Sequence, residues 1–314
     1  MRPRVITLLL LFVSSIASAQ EVAVRPRVNP GDEFHVELTR VRQDRGKPTV
    51  TSRTPITVQV ISVGSDGAVW DWVPGPVQFA DASDNSNPLV AAVVAATRGL
   101  HFRLALTADG EFIGIQNAGE VSAKLQGILN TLITVVEREV PQDRKAAVAP
   151  TLRQLLSPET MVATAAGDAQ MYLALNGVEL AAGERAQAPM STAMPLGSGS
   201  IASVITITMD SVTPAVARLS TETAYDATAL RAATTALVQQ VAGRALSAEE
   251  EAKMPTLQMT DKGRFEFDRT FGLMREVVIN RRIAADGLER TDEWTLRLVA
   301  PPRRQDVRVP GGAR

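Results

Sequence analysis

Residues 33–39 read Glu33-Phe34-His35-Val36-Glu37-Leu38-Thr39, and this run decides the fold class. Phe34, Val36 and Leu38 alternate with His35, Glu37 and Thr39, the two-residue period of a strand buried on one face. Ile56, Val58 and Val60 repeat the period. Ser65-Asp66-Gly67 then supplies turn residues for a hairpin that returns through Val69 to Trp72. A second hairpin follows the same logic, with Phe102, Leu104 and Leu106, a turn at Asp109-Gly110, and Phe112 to Ile115 returning. The pattern resumes from Leu175, with strands expected over Met190 to Met194, across Ile205, Ile207 and Met209, and over Val216 to Tyr225. Four further short strands are expected over Leu257–Met259, Phe265–Phe267, Leu273–Arg282 and Trp294–Val299, with turns at Asp261-Lys262-Gly263 and Asp286-Gly287.

Helices punctuate these strands. Asn87 and Pro88 suit an N-cap and first helical position, opening an Ala/Val-rich helix over 88–98 that Gly99 stops. It is apolar nearly all round, so it belongs against a sheet or in a ligand cavity. Asn117 and Glu120 have capping-box spacing, and Val121, Leu125, Ile128, Leu129, Leu132, Val135 and Val136 form one helical stripe ended by Pro141. Shorter helices are expected over 145–156 and, capped by Ser157, over 158–166. Asp226 caps another, with Leu230, Ala233, Leu237, Val238 and Val241 on one face and Gly243 at its end. Ser247 and Glu250 have the spacing of a further capping box.

The fold class is therefore α+β: curved antiparallel sheet packed against helices. A hairpin, an Ala/Val-rich helix and a second hairpin occur in each half, which suggests two pseudo-repeated halves, 32–174 and 175–300. An extended lead-in, 20–31, precedes them. Residues 301–314, rich in Pro, Gly and Arg, read as a disordered basic tail.

The start of the chain carries an address. Arg2 and Arg4 precede a short apolar stretch from Val5 to Ile16, and Ala17-Ser18-Ala19 offers the small side chains of a cleavage site. Residues 1–19 thus read as a signal peptide, the stretch being too short to span a bilayer, which needs ~20 residues. Export to the periplasm or the medium is expected, with no transmembrane segment in the mature chain. The 314 residues contain no cysteine, so neither a disulfide nor a lipid-modified cysteine can form. Formal charge is −1, becoming −3 once Arg2 and Arg4 are removed, a balance that argues against nucleic acid as a partner.

Catalytic chemistry has little to stand on. The two histidines, His35 and His101, lie on strands without metal-ligand spacing, no serine occupies a Gly-x-Ser-x-Gly elbow, and cysteine catalysis is excluded. Asp81, Asp84, Asn85 and Asn87 do not have the spacing of a calcium loop. No enzyme, cofactor or metal is expected. Trp70 and Trp72 share one side of a strand, where they either pack into the core or line a ligand groove. With Val90, Val93, Val94, Phe102 and Phe112 they are the candidate apolar-ligand residues.

Four stretches carry a resemblance: PGDEFHVEL (30–38), ADGEFIGIQNAGEVSAKLQGILNTL (108–132), NGVELAAGE (176–184) and FDRTFGLMREVVINRRIAADG (267–287). Together they resemble a family of exported bacterial proteins of unassigned function. Many of those proteins are lipoproteins; this chain departs from them in having no cysteine, so anchoring is not implied. The element order is also similar to periplasmic lipoprotein-carrier folds, in which a curved antiparallel sheet wraps helices and shelters acyl chains. The apolar helix 88–98 and the surplus of small aliphatic residues lead to the expectation of an exported, non-enzymatic protein holding a lipid-like ligand between sheet and helices. The alternative is an envelope structural or protein-interaction module, acting through sheet edges or the basic tail.

Overall fold

The computed structural model describes residues 21–81, 98–139, 156–193 and 200–303, together with residues 91, 94–95, 149–150 and 152–153. The strands in chain order are β1 (Val22–Ala23), β2 (Glu33–Asp44), β3 (Val50–Gly64), β4 (Gly67–Pro74), β5 (Gln78–Phe79), β6 (Phe102–Leu106) and β7 (Phe112–Ile115). After them come β8 (Glu179–Leu180), β9 (Arg185–Ala193), β10 (Ser200–Val212), β11 (Val216–Tyr225), β12 (Gln258–Asp268), β13 (Leu273–Ala285) and β14 (Leu288–Arg303). The helices are α1 (Ala118–Glu139), α2 (Pro158–Ala165), α3 (Gly167–Leu173), α4 (Ala227–Ala242) and α5 (Ala248–Ala252).

Twelve strands form one open antiparallel sheet in the order β7-β6-β4-β3-β2-β14-β13-β12-β11-β10-β9, with β5 on β3. The two halves meet where β2 pairs β14, Leu38 opposite Leu296 and Thr39 opposite Thr295. One continuous core includes Phe34, Val36 and Trp70 from the first half and Met209, Leu219, Phe265 and Val277 from the second. The halves therefore share both a sheet and a core.

Local signals explain most elements. The alternation at Phe34, Val36 and Leu38 is the observed burial pattern of β2. Ser157 accepts from the Thr160 backbone N–H at 3.2 Å, with Pro158 opening α2. Asp226 accepts from the Ala229 N–H at 2.6 Å to start α4, and Gly243 ends it in the left-handed conformation. Ser247 and Glu250 form the reciprocal capping box of α5.

Three expectations are corrected. Asp261-Lys262-Gly263 is no turn: β12 runs straight through it, with Asp261 opposite Arg281 and Gly263 opposite Ile279. Glycine serves there as a gap rather than a bend, since an added Cβ would lie 2.3 Å from Thr221 Oγ1 and 2.7 Å from the Phe265 ring. Asn117 does not use its side chain to cap α1. It accepts from the Arg103 N–H at 2.8 Å and donates to the His101 carbonyl at 3.1 Å, tying the helix entry to β6. Residues 301–303 extend β14 instead of starting a tail, and 304–314 lie outside the described residues. The lead-in joins the fold, β1 pairing β8 and Val24 wholly buried. One further helix, α3, occupies Gly167–Leu173.

Candidate functional site

α1 and α3 pack on the sheet face that carries Phe34, Trp70 and Val277, here called the inner face, and α4 contacts β10. Over β2 to β6 this face is dry. Tyr172 on α3 inserts between Phe34 (ring centroids 6.4 Å apart) and Trp72 (5.6 Å), and Phe34 meets Trp70 edge-on at 5.5 Å. The Tyr172 hydroxyl donates to the Met274 carbonyl at 2.8 Å, and burial pushes its pKa up. Trp70, Trp72 and Phe102 are thus packed against protein, at no more than 1% exposure, with the Trp70 Nε1–H unpartnered among the described residues. Phe112 is half-buried on the edge strand β7, and Val94 is helical and half-buried. Val90 and Val93 lie outside the described residues. Of the seven candidates, the fold gathers Trp70, Trp72 and Phe102 in one core.

Further along the same face the sheet changes character. Cross-strand register places Arg40, Trp294, Ile279, Gly263, Thr221 and Ile207 in one row. The next row runs Arg42, Asp292, Arg281, Asp261, Thr223 and Ile205. Ions and apolar side chains alternate across this part of the inner face. Asp292, almost fully buried, accepts from Arg40 Nη2 at 3.3 Å and from Arg290 Nε at 2.6 Å. Arg281 grips Asp261 with both Nε (2.8 Å) and Nη2 (2.6 Å), and the Tyr225 hydroxyl donates to the same carboxylate at 2.6 Å. Burial pushes the Tyr225 pKa up to about 12, with Arg281 opposing and Asp261 adding to the rise. Burial works against the Arg281 charge, but the Asp261 bonds outweigh it and hold its pKa above the ordinary value.

Trp294 stands between two of these cations. The Arg40 guanidinium lies 5.1 Å from its ring centroid and that of Arg281 5.7 Å, inside the range of cation–π attraction. Arg40 Nε is buried and unpartnered among the described residues. Asp168 at the start of α3 adds a carboxyl near Arg40; burial pushes its pKa up to about 6, with Arg40 opposing. Sequence reading missed this group because its members lie on five strands and a helix. The only available signal was their shared strand parity.

Beyond the ions, the apolar lining is incompletely sealed. On α4 only Leu230 of the described stripe is buried, Leu237 is half-buried, and Val238 is 39% exposed. Ile205, Ile283 and Met259 are half-buried, and Met190 on the edge strand β9 is 36% exposed.

The outer face offers polar ground. A groove of about 560 Å³ is lined by Arg185, Thr208, Ser220, Lys262 and Arg264, and a smaller one of about 400 Å³ by Arg275, Glu276 and Arg297. At the first-half edge His101 sits between two carboxylates, its Nδ1 2.9 Å from Asp71 and its Nε2 3.3 Å from Glu120. The Asp71 hydrogen bond leads in raising the His101 pKa, with Glu120 adding to it. Asp71 points away from its Trp neighbours, as strand alternation requires. Among the described residues no helix is long and apolar enough to cross a membrane.

No family model matches the chain, and no curated protein matches it. Among solved structures it is similar to one described as lipid–protein interactions in lipovitellin, at 6% identity and a TM-score of 0.39. That match covers 88% of this chain and 26% of the other, so the chain spans about a quarter of the structure it matches.

Proposed function

We propose that this is an exported, non-enzymatic binding protein that holds a lipid-like chain between the second half of the inner face and α4. The observation that carries the reading is the contrast within one face. Over β2 to β6 the aromatic core is closed, whereas around Ile205, Met259, Ile283 and Met190 the apolar side chains are only half covered. Leu237 and Val238 on α4 are left in the same condition. Burying apolar surface gains about 25 cal/mol per Å² removed from water, which is what an acyl chain laid over these side chains would do. Export rests on the basic, apolar and small-residue order of residues 1–19.

The test is native mass spectrometry of protein purified from the periplasm, followed by solvent extraction. A co-purifying mass of lipid size, lost in Ile205→Glu, supports the reading. A bare mass that also fails to take up added fatty acid overturns it. The interaction-module reading draws on Ile113, 62% exposed on the edge strand β7. An unpaired edge strand with an exposed apolar side chain can accept a partner's strand.

A further inference from the structure

The ions between the closed core and the half-covered apolar surface go beyond what a simple acyl pocket needs. Ion pairs removed from water contribute little net stability, because the desolvation cost offsets the attraction. Apolar residues at these positions on the inner face would serve the core as well or better. Asp261 is saturated by Arg281 and Tyr225. Asp292 is shared by two guanidiniums, and Arg40 reaches it through one nitrogen at 3.3 Å. The buried Nε of Arg40 has no partner among the described residues, while the side chain as a whole is 42% exposed. That guanidinium lies over the Trp294 ring, 5.1 Å from its centroid. The exposed end of a guanidinium resting on an aromatic ring suits the oxygens of a phosphate or carboxylate group.

We infer that Arg40, supported by Trp294 and Asp292, receives the anionic phosphate or carboxylate group of an amphipathic ligand whose chain lies toward Ile279, Ile205 and Ile283. The inference rests on the acyl-chain reading above for the tail, and on the arginine geometry alone for the head. Asp168 is the group that opposes it, since an ionised carboxyl near Arg40 competes for the same donors. Asp168→Asn therefore tightens binding of an anionic head.

The test uses the full delipidated chain and three probes read by tryptophan fluorescence and calorimetry: dodecyl phosphate below its micellar concentration, dodecanol, and inorganic phosphate. The expected result is dodecyl phosphate binding at least tenfold tighter than dodecanol. Arg40→Met should abolish that preference, Arg40→Lys should retain part of it, and dodecanol affinity should stay unchanged in both. Equal affinity for the two alkyl probes in the unmodified protein overturns the headgroup inference and leaves the acyl reading standing. Inorganic phosphate binding as tightly as dodecyl phosphate, with dodecanol silent, keeps the anion site and removes the acyl reading. No binding by any probe removes both. The comparison among probes in the unmodified protein decides the matter even if Arg40→Met does not fold.

Discussion

Replacing Asp168 by Asn should stabilise the protein at neutral pH. In the folded state burial pushes this carboxyl up to about 6 from an ordinary value of 3.8, with Arg40 recovering only part of the cost. The folded chain thus binds the proton more tightly than the unfolded one. Relative stability is then present in full below pH 3.8 and is lost as pH rises through about 6. At about 1.4 kcal/mol per tenfold change, that interval corresponds to roughly 3 kcal/mol. Because Asp168 is half-buried, the measured effect should fall nearer 1–2 kcal/mol after relaxation and water access. Urea denaturation of the two proteins at pH 7.5 and pH 4 reads the effect directly. Asp168→Asn should lead by about 1–2 kcal/mol at pH 7.5 and converge with the unmodified protein at pH 4. A variant that is less stable at pH 7.5, or a gap that does not change with pH, would refute the reasoning. The first would show that ionised Asp168 is held by a favourable interaction with Arg40, the second that its proton affinity does not change on folding.

Other measurements probe separate parts of the structure. Tyr172→Phe removes the buried bond to the Met274 carbonyl and should cost about 1–1.5 kcal/mol in denaturant unfolding, whereas Tyr172→Ala should cost about 3–5 kcal/mol by emptying the aromatic core. Gly263→Ala forces a Cβ against Thr221 Oγ1 and the Phe265 ring and should cost about 1–3 kcal/mol, part of it restored by adding Thr221→Ala. Stabilisation from the raised His101 pKa is complete below 6.5 and is lost as pH rises through the folded value. His101→Gln should flatten that decline in thermal melts recorded between pH 6 and 8.5; an unchanged slope would show that the Asp71 contact contributes nothing.

Strand alternation at Phe34, Ile56, Phe102, Ile207 and Leu219 made the β-rich class legible, because a period of two assigns each side chain to a face. Caps at Ser157, Asp226 and Ser247 were legible for a similar reason: each satisfies its helix within three residues. What local pattern could not supply was distance in sequence. Arg40 and Asp292 are 252 residues apart, and nothing local to either marks the other as its partner. The Asp261-Lys262-Gly263 error has the opposite cause. Its composition suits a turn, but pairing with β11 and β13 on both sides holds the segment extended. Trp70 and Trp72 illustrate a third limit, since a paired aromatic reads alike in a groove and in a core until the Tyr172 ring is placed between Trp72 and Phe34.

The seam between β2 and β14 has a consequence for how the molecule is made. It joins residues 33–44 to residues 288–303 in the middle of the sheet, so the central neighbour of an early strand is synthesised after every other described strand. A growing chain can form the hairpins β3–β4 and β10–β11 as each emerges, but the two blocks they seed remain separate, each with a long unpaired inner border. Vectorial synthesis alone cannot complete this architecture. Joining the blocks requires closing a loop of nearly the whole chain, a slow step for topologies rich in distant pairings. Until it is made, two sticky strand borders stand open to any neighbouring chain.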